Sequence, residues 1–258
     1  MIVILSPSKT MDFSDKQLSI ANANPHTEPV FMDDAQILAE ILRKKSVRQI
    51  AKLMDVSNKL ASLNYDRYQS FSTSFTSHNA RQALLAFKGD VYTDIAVDAY
   101  TQEDFLFAQE HVRILSGLYG LLCSLDLIRP YRLEMGTQLS NPRGNTLYAF
   151  WGDKISEQLN KNLQQQSHKI LVNLASNEYF KAINTKKLEA EIITPVFKQY
   201  NKGTYKVIAL HAKRARGAMT HFMIKNKIDK VERIKTFNEA GYEYSDHLSS
   251  EIEWVFVR

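Results

Sequence analysis

Four short polar clusters stand at the ends of apolar runs and carry the side chains that acid–base chemistry needs. "SPSKT" sets Ser6, Ser8, Lys9 and Thr10 directly after "IVIL" (2–5). "FKGDVY" supplies Lys88, Asp90 and Tyr92, and "PYRLEMG" places Arg132 and Glu134 two residues apart, on one side of an extended chain. "NLASNEYFK" brings Asn173, Ser176, Glu178 and Lys181 to a point where a strand hands over to a helix. Carboxylates beside lysines and an arginine can move a proton and hold an anion at the same time. Ligands of open α/β sheets bind beyond the carboxyl ends of strands. The expectation is therefore one polar pocket drawn from Lys9, Lys88, Asp90, Arg132, Glu134, Asn173, Glu178 and Lys181, with no catalytic role assigned to any of them. The plainer alternative for each cluster is a cap, a turn or a structural ion pair. "SPSKT" lacks the glycines of a phosphate-binding loop, so that identification fails.

A scaffold has to bring these side chains together. "IVIL" reads as a buried strand, and "ALLAF" (83–87), "VRIL" (112–115), "KILVNLAS" (169–176), "AEIITPVF" (190–197), "YKVIALHA" (205–212) and "EWVFV" read as further strands. "DDAQILAEILRKK" (33–45) has helical spacing, with acids first and bases last. "TQEDFLFAQEHV" is a helix opened by Thr101 and Asp104, and "NTLYAFWGDKISEQLNKNLQQQ" is one long amphipathic helix. "GAMTHFMIKNKI" and "KVERIKTF" close the helical set. Strands and helices alternate irregularly. The fold class expected is α/β (mixed α+β), a single domain over residues 1–258 on a mixed β-sheet flanked by helices, with a helical lobe over 33–75.

Within that lobe, "SVRQIAKLMDVSNKLASL" reads as helix, tight turn, helix. A helix-hairpin-helix holds a nucleic-acid phosphate with hairpin N–H groups and the positive end of its second helix. Val56 suits the apolar position of the hairpin, and Lys59 adds a charge one turn on. The two usual glycines are missing, and Asp55 stands in the turn. The DNA-contact candidates here are Val56, Ser57, Asn58 and Lys59. A second basic group, Lys213, Arg214 and Arg216 in "HAKRARGAMTHF", is expected in a loop between a strand and a helix. Such bases release counterions on binding phosphates, which makes affinity fall with salt.

The formal charge is +5, and its distribution is uneven. From Lys198 to Lys235 the only acids are Asp229 and Glu232. No apolar run approaches the ~20 residues of a membrane helix, and the opening residues lack a basic leader, so a cytoplasmic protein with no membrane partner is expected. One cysteine, Cys123, excludes an intrachain disulfide, and its apolar neighbours point to a buried thiol. The seven histidines show no metal-ligand spacing. No metal or other cofactor is expected, and no protein partner is inferable.

The stretches "SPSKTMD", "NARQALLAFKGDVYT", "LSGLYGLL", "LDLIRPYRLEMGTQL", "LYAFWGD", "NLASNEYFK" and "ITPVFK" together resemble the YaaA family of bacterial peroxide-stress proteins along almost the whole chain. The chain departs at Cys123-Ser124, where the family tends to have Arg-Pro, and at Asp94, where it tends to have Gly. The resemblance implies a cytosolic protein that limits hydrogen-peroxide damage, partly by keeping unincorporated iron low. It also implies DNA binding through a helix-hairpin-helix, here Asp55 to Lys59, and a positively charged cleft on an unusual mixed α/β fold. Two functions are carried forward. One is a backbone-binding DNA protection protein that prefers distorted or locally opened duplex. The other is an enzyme acting on a nucleotide, nucleobase or DNA sugar in the polar pocket.

Overall fold

The first apolar run sets the frame. Ile2–Leu5 forms β1, and all four residues are buried, as a strand covered on both faces requires. The computed structural model describes residues 1–14, 25–76 and 78–258. After β1 come β2 (Thr10–Met11) and the helices α1 (Met32–Arg43), α2 (Val47–Met54) and α3 (Asn58–Gln69). Short pieces follow: β3 (Arg81–Gln82), α4 (Ala83–Ala86), β4 (Phe87–Lys88) and α5 (Asp90–Thr93). Next are α6 (Gln102–His111), β5 (Val112–Ser116), β6 (Gly120–Cys123) and β7 (Leu127–Ile128). Then α7 (Leu147–Trp151), α8 (Lys154–Gln164), β8 (Ile170–Asn173) and α9 (Asn177–Phe180) lead to β9 (Glu191–Asn201). The chain finishes with β10 (Thr204–Lys206), α10 (Ala209–Lys225), β11 (Glu243–Tyr244) and β12 (Glu253–Val257).

Among the described residues the main sheet runs β11-β12-β9-β8-β1-β5-β6, with β10 pairing the end of β9. The pairs β1–β5, β1–β8, β8–β9 and β9–β12 are parallel, while β5–β6, β9–β10 and β11–β12 are antiparallel. The fold is thus a mixed α/β domain, as the alternation of elements predicts. The chain leaves β1 for β5 on one side and comes back to β8 on the other, so the strand order reverses at the β1/β8 seam. A crevice forms beyond the carboxyl ends of strands at such a reversal. Helices α1 to α3 give Ala35, Leu38, Ile50, Ala61 and Tyr68 to the same apolar core that holds β1.

Three local expectations are corrected. "ALLAF" is helical over 83–86. Its alanines and leucines favour helix, and all four positions are buried, so no alternating pattern was available to separate the two states. The run "YKVIALHA" is strand only to Lys206, and from Ala209 it belongs to the 17-residue α10. Lys213, Arg214 and Arg216 therefore sit on a helix, not in a loop. The long helix expected over 145–166 breaks at Gly152, whose φ of 50° ends α7 in the left-handed region. Further along, "KVERIKTF" forms a 3₁₀ helix over Val231–Thr236.

The α2–α3 turn forms without glycine. Asp55 takes φ 48° and ψ 58°, and both its N–H and that of Val56 reach the Ala51 carbonyl. Asp is among the few residues that enter this region at modest cost. Ser57 then caps α3 by accepting from the Leu60 N–H, and Val56 packs against the core. Replacing Asp55 with glycine is expected to raise stability by about 0.5–1 kcal/mol, read as a higher urea midpoint with an unchanged m value. A lower midpoint would mean that the aspartate side chain stabilises the turn.

Candidate functional site

A cleft of about 530 Å³ opens at the β1/β8 reversal. Its walls come from five separate stretches: the loop after β1, α5, the segment after β7, the β8–α9 junction and α10. Five of the eight predicted pocket residues line it: Lys9, Asp90, Arg132, Glu134 and Glu178. Lys213 and Arg216, expected to form a separate grip, line it as well.

The loop after β1 is tied to the β8–α9 junction by Ser6, which accepts from the Ser176 N–H at 2.8 Å. Tyr92 of α5 donates to the Ser6 carbonyl at 2.9 Å. Gly89 holds φ 128°, and a Cβ there would stand 2.7 Å from the Ser8 hydroxyl, so the turn into α5 needs a residue without a side chain. Helix α10 lies against α5 so closely that a Cβ on Gly217 would stand 1.9 Å from the Val91 carbonyl oxygen. That contact sets Lys213 and Arg216 on the cleft wall.

Inside the cleft the charges are partly paired. Glu134 accepts from Lys9 at 2.7 Å and from Arg132 at 2.9 Å. Glu178 accepts the Gly136 N–H at 2.9 Å. Lys213 stands 3.9 Å from Asp90. Burial raises the Tyr92, Tyr131 and Tyr179 hydroxyls above the ordinary phenol range, so these phenols stay neutral, those of Tyr92 and Tyr131 already bonded to Ser6 and Ser116. Burial lowers the Arg216 guanidinium from its usual value. A lysine and an arginine converging on one carboxylate, with a second carboxylate on the same cleft, is an arrangement that can orient a polar ligand and exchange a proton with it.

The other three pocket candidates do not line the cleft. Asn173 is buried in the β8 turn, accepting from the Ala175 N–H at 3.1 Å. Lys88 pairs with Thr10 in the β2–β4 ladder, and the Lys181 ammonium stands 5.1 Å from the centre of the Tyr148 ring. Of the hairpin candidates, Ser57, Asn58 and Lys59 are exposed and Val56 is half-buried. Asp55 lines a second hollow whose other walls include Arg132, Glu134 and Glu178. The hollow at Asp55 and the main cleft therefore share three lining residues, while Val56, Ser57, Asn58 and Lys59 line neither.

Much of the basic run is internal wiring. Arg214 makes a bidentate pair with Asp94 at 2.8 and 3.0 Å. Lys225 and Lys227 hold Asp104, and Lys235 pairs with Glu232. Net charge along the sequence could not distinguish these from the two cations that face the cleft. The helical register from Lys213 to Arg216 was the signal available, since residues three apart share a helix face. Burial pushes the Cys123 thiol up to about 11, so it stays protonated at neutral pH. Among the described residues, no group of three His, Cys, Asp or Glu side chains stands close enough to hold a metal ion. Nor is any described helix long and apolar enough to cross a membrane.

Comparison with known proteins fits this geometry to a family. The chain is 48% identical over 258 residues to a UPF0246 protein of Saccharophagus degradans, covering 100% of this chain and 99% of that one. It is likewise 48% identical to one from Cellvibrio japonicus, over 100% and 98% of the two chains. A third, from Teredinibacter turnerae, is 49% identical over 100% and 99%. The model of the family described as "Peroxide stress protein YaaA" matches residues 1–248, and the chain belongs to that family.

Proposed function

We propose that this peroxide-stress protein acts in the cytoplasm by binding DNA through its backbone, without reading sequence. In this reading the α2–α3 hairpin, Val56 to Asn58 with Lys59, holds one run of phosphates. The α10 cations Lys213 and Arg216 hold another, with Arg214 reinforcing them where its pair with Asp94 opens. Protection would follow from occupying DNA that iron-generated hydroxyl radical would otherwise attack. The observation that carries the reading is the shared wall: Arg132, Glu134 and Glu178 border both the hollow at Asp55 and the cleft under α10. In this reading the phosphate run passes from the exposed start of α3, next to Asp55, along this shared wall to the cations of α10.

Binding to linear, nicked and bubble DNA across a salt series tests it. Affinity should fall steeply with salt and favour the bubble. K59A and K213A should each weaken binding to every sequence and reduce the log–log salt slope by ~1. Replacing Asp55 with glycine should tighten binding, because a negative charge leaves the approach to the phosphate. Unchanged slopes in both lysine variants would remove the groove from the reading.

A second reading, an enzyme acting on a nucleotide, nucleobase or DNA sugar, is favoured by a separate observation. Lys9, Arg132 and two carboxylates, Glu134 and Glu178, share one cleft, which is more chemistry than a backbone grip requires.

A further inference from the structure

Arg216 is the cation of the cleft that has no counter-charge. Four cations, Lys9, Arg132, Lys213 and Arg216, face three carboxylates, Asp90, Glu134 and Glu178. Glu134 serves both Lys9 and Arg132, and Asp90 stands by Lys213. The Arg216 guanidinium makes no hydrogen bond or ion pair among the described residues, and its Nε is fully buried without a partner. Arg216 is half-buried, and a guanidinium partly withdrawn from water without an anion carries an uncompensated cost at its buried nitrogen. Its helix cannot back away from solvent-poor surroundings, because Gly217 seats α10 directly on the Val91 carbonyl. Such a group is satisfied when a ligand brings the anion, and the planar guanidinium fork matches phosphate.

Two more observations define the rest of the ligand. Glu178 is a carboxylate with no cation beside it, accepting only the Gly136 N–H among the described residues. It is an acceptor that would repel phosphate and welcome an N–H or a hydroxyl. The cleft, at about 530 Å³, has the size of pockets that enclose one small organic molecule.

We propose that the cleft binds a single nucleotide unit, its phosphate held by Arg216 with Lys213 beside it, and its base edge or sugar hydroxyl received by Glu178. The proposal deepens the second reading above and rests on it. The phosphate can come from a free mononucleotide or from the end of a strand.

Calorimetric titration of the full chain separates these. The probes are thymidine 5′-monophosphate, thymidine, and one oligonucleotide with either a 5′-phosphate or a 5′-hydroxyl. The monophosphate or the phosphorylated strand should bind, and its unphosphorylated counterpart should bind at least about tenfold more weakly. Whichever of the two phosphate carriers binds more tightly identifies the source. R216Q should weaken that binding at least about tenfold, R216K by less, and K230Q, which removes an equal charge from an exposed position outside the cleft, by under about twofold. Melting temperatures of the variants are read alongside, and R216K carries the comparison if R216Q does not fold. Wild-type affinity in R216Q, or equal binding of thymidine and its monophosphate, overturns the phosphate assignment while leaving the cleft a nucleoside site. No binding of any probe by the wild type overturns both.

Discussion

Replacing Gly217 with alanine is expected to cost about 3 kcal/mol or more of stability and to dismantle the cleft wall at the same time. The new Cβ would stand 1.9 Å from the Val91 carbonyl oxygen, a backbone atom that cannot rotate away. Helix α10 and α5 must then part by about 1.5 Å to restore an ordinary contact. Thr220, Met219 and Met223 on α10 are buried, so the displacement propagates into the core instead of dissipating at the surface. Denaturant unfolding should show the loss. If the proposed DNA binding holds, it should fall as well in whatever fraction remains folded, because Lys213 and Arg216 move with the helix. A variant as stable as the wild type would show that the two helices are held apart more loosely in solution than this contact requires.

The second large effect falls on Asp104. Its side chain is 5% exposed and is held by Lys225 at 2.7 Å and by Lys227. It also accepts from the Thr101 N–H, completing a capping box at the start of α6. One carboxylate thus caps α6 and fastens it to the end of α10. Replacement by alanine leaves two lysines facing an uncharged pocket, each over a third exposed and able to turn to water. That relief puts the cost near the low end for a broken buried pair, about 3 kcal/mol, or roughly 6–12 °C in melting temperature for a chain of this size. The pH dependence has a definite sign. The lysines hold the carboxyl well below the usual carboxylate range, so folding is favoured by its ionisation. The contribution is fully present above the ordinary carboxylate pKa, near 4. It is lost as pH falls through the lowered folded-state value. The stability gap between wild type and D104N should therefore be widest near neutral pH and shrink on acidification below about 4. A gap that is constant from pH 7 down to 3 would assign the effect to the cap alone.

How far the sequence predicts the molecule depends on how local each signal is. β1, β5, β8, β9 and β12 are legible because their β-branched and apolar runs are short and bounded. "ALLAF" and "YKVIALHA" misled because full burial erases the alternation that distinguishes strand from helix. Gly152 was readable in principle, since glycine inside a helical pattern marks an end as often as a kink. The site was legible as four polar clusters, and two of them, after β1 and β8, fall at adjacent strand ends because those strands are parallel neighbours. What no local pattern held is the identity of each partner. Arg214 and Arg216 are two residues apart, yet one is spent on Asp94 and the other faces the cleft unpaired. That distinction is made by residues 120 positions away in the chain.

The placement of β1 in the middle of the sheet also sets an order in time. Its neighbours β5 and β8 lie at 112–116 and 170–173, and the cleft's last wall arrives with α10. During synthesis at 5–20 residues per second, the apolar strand "IVIL" waits on the order of ten seconds before its second partner has been made. Until then it is a sticky edge with unsatisfied N–H and C=O groups. The cleft at the β1/β8 reversal is among the last features to mature, absent from any nascent fragment that ends before α10.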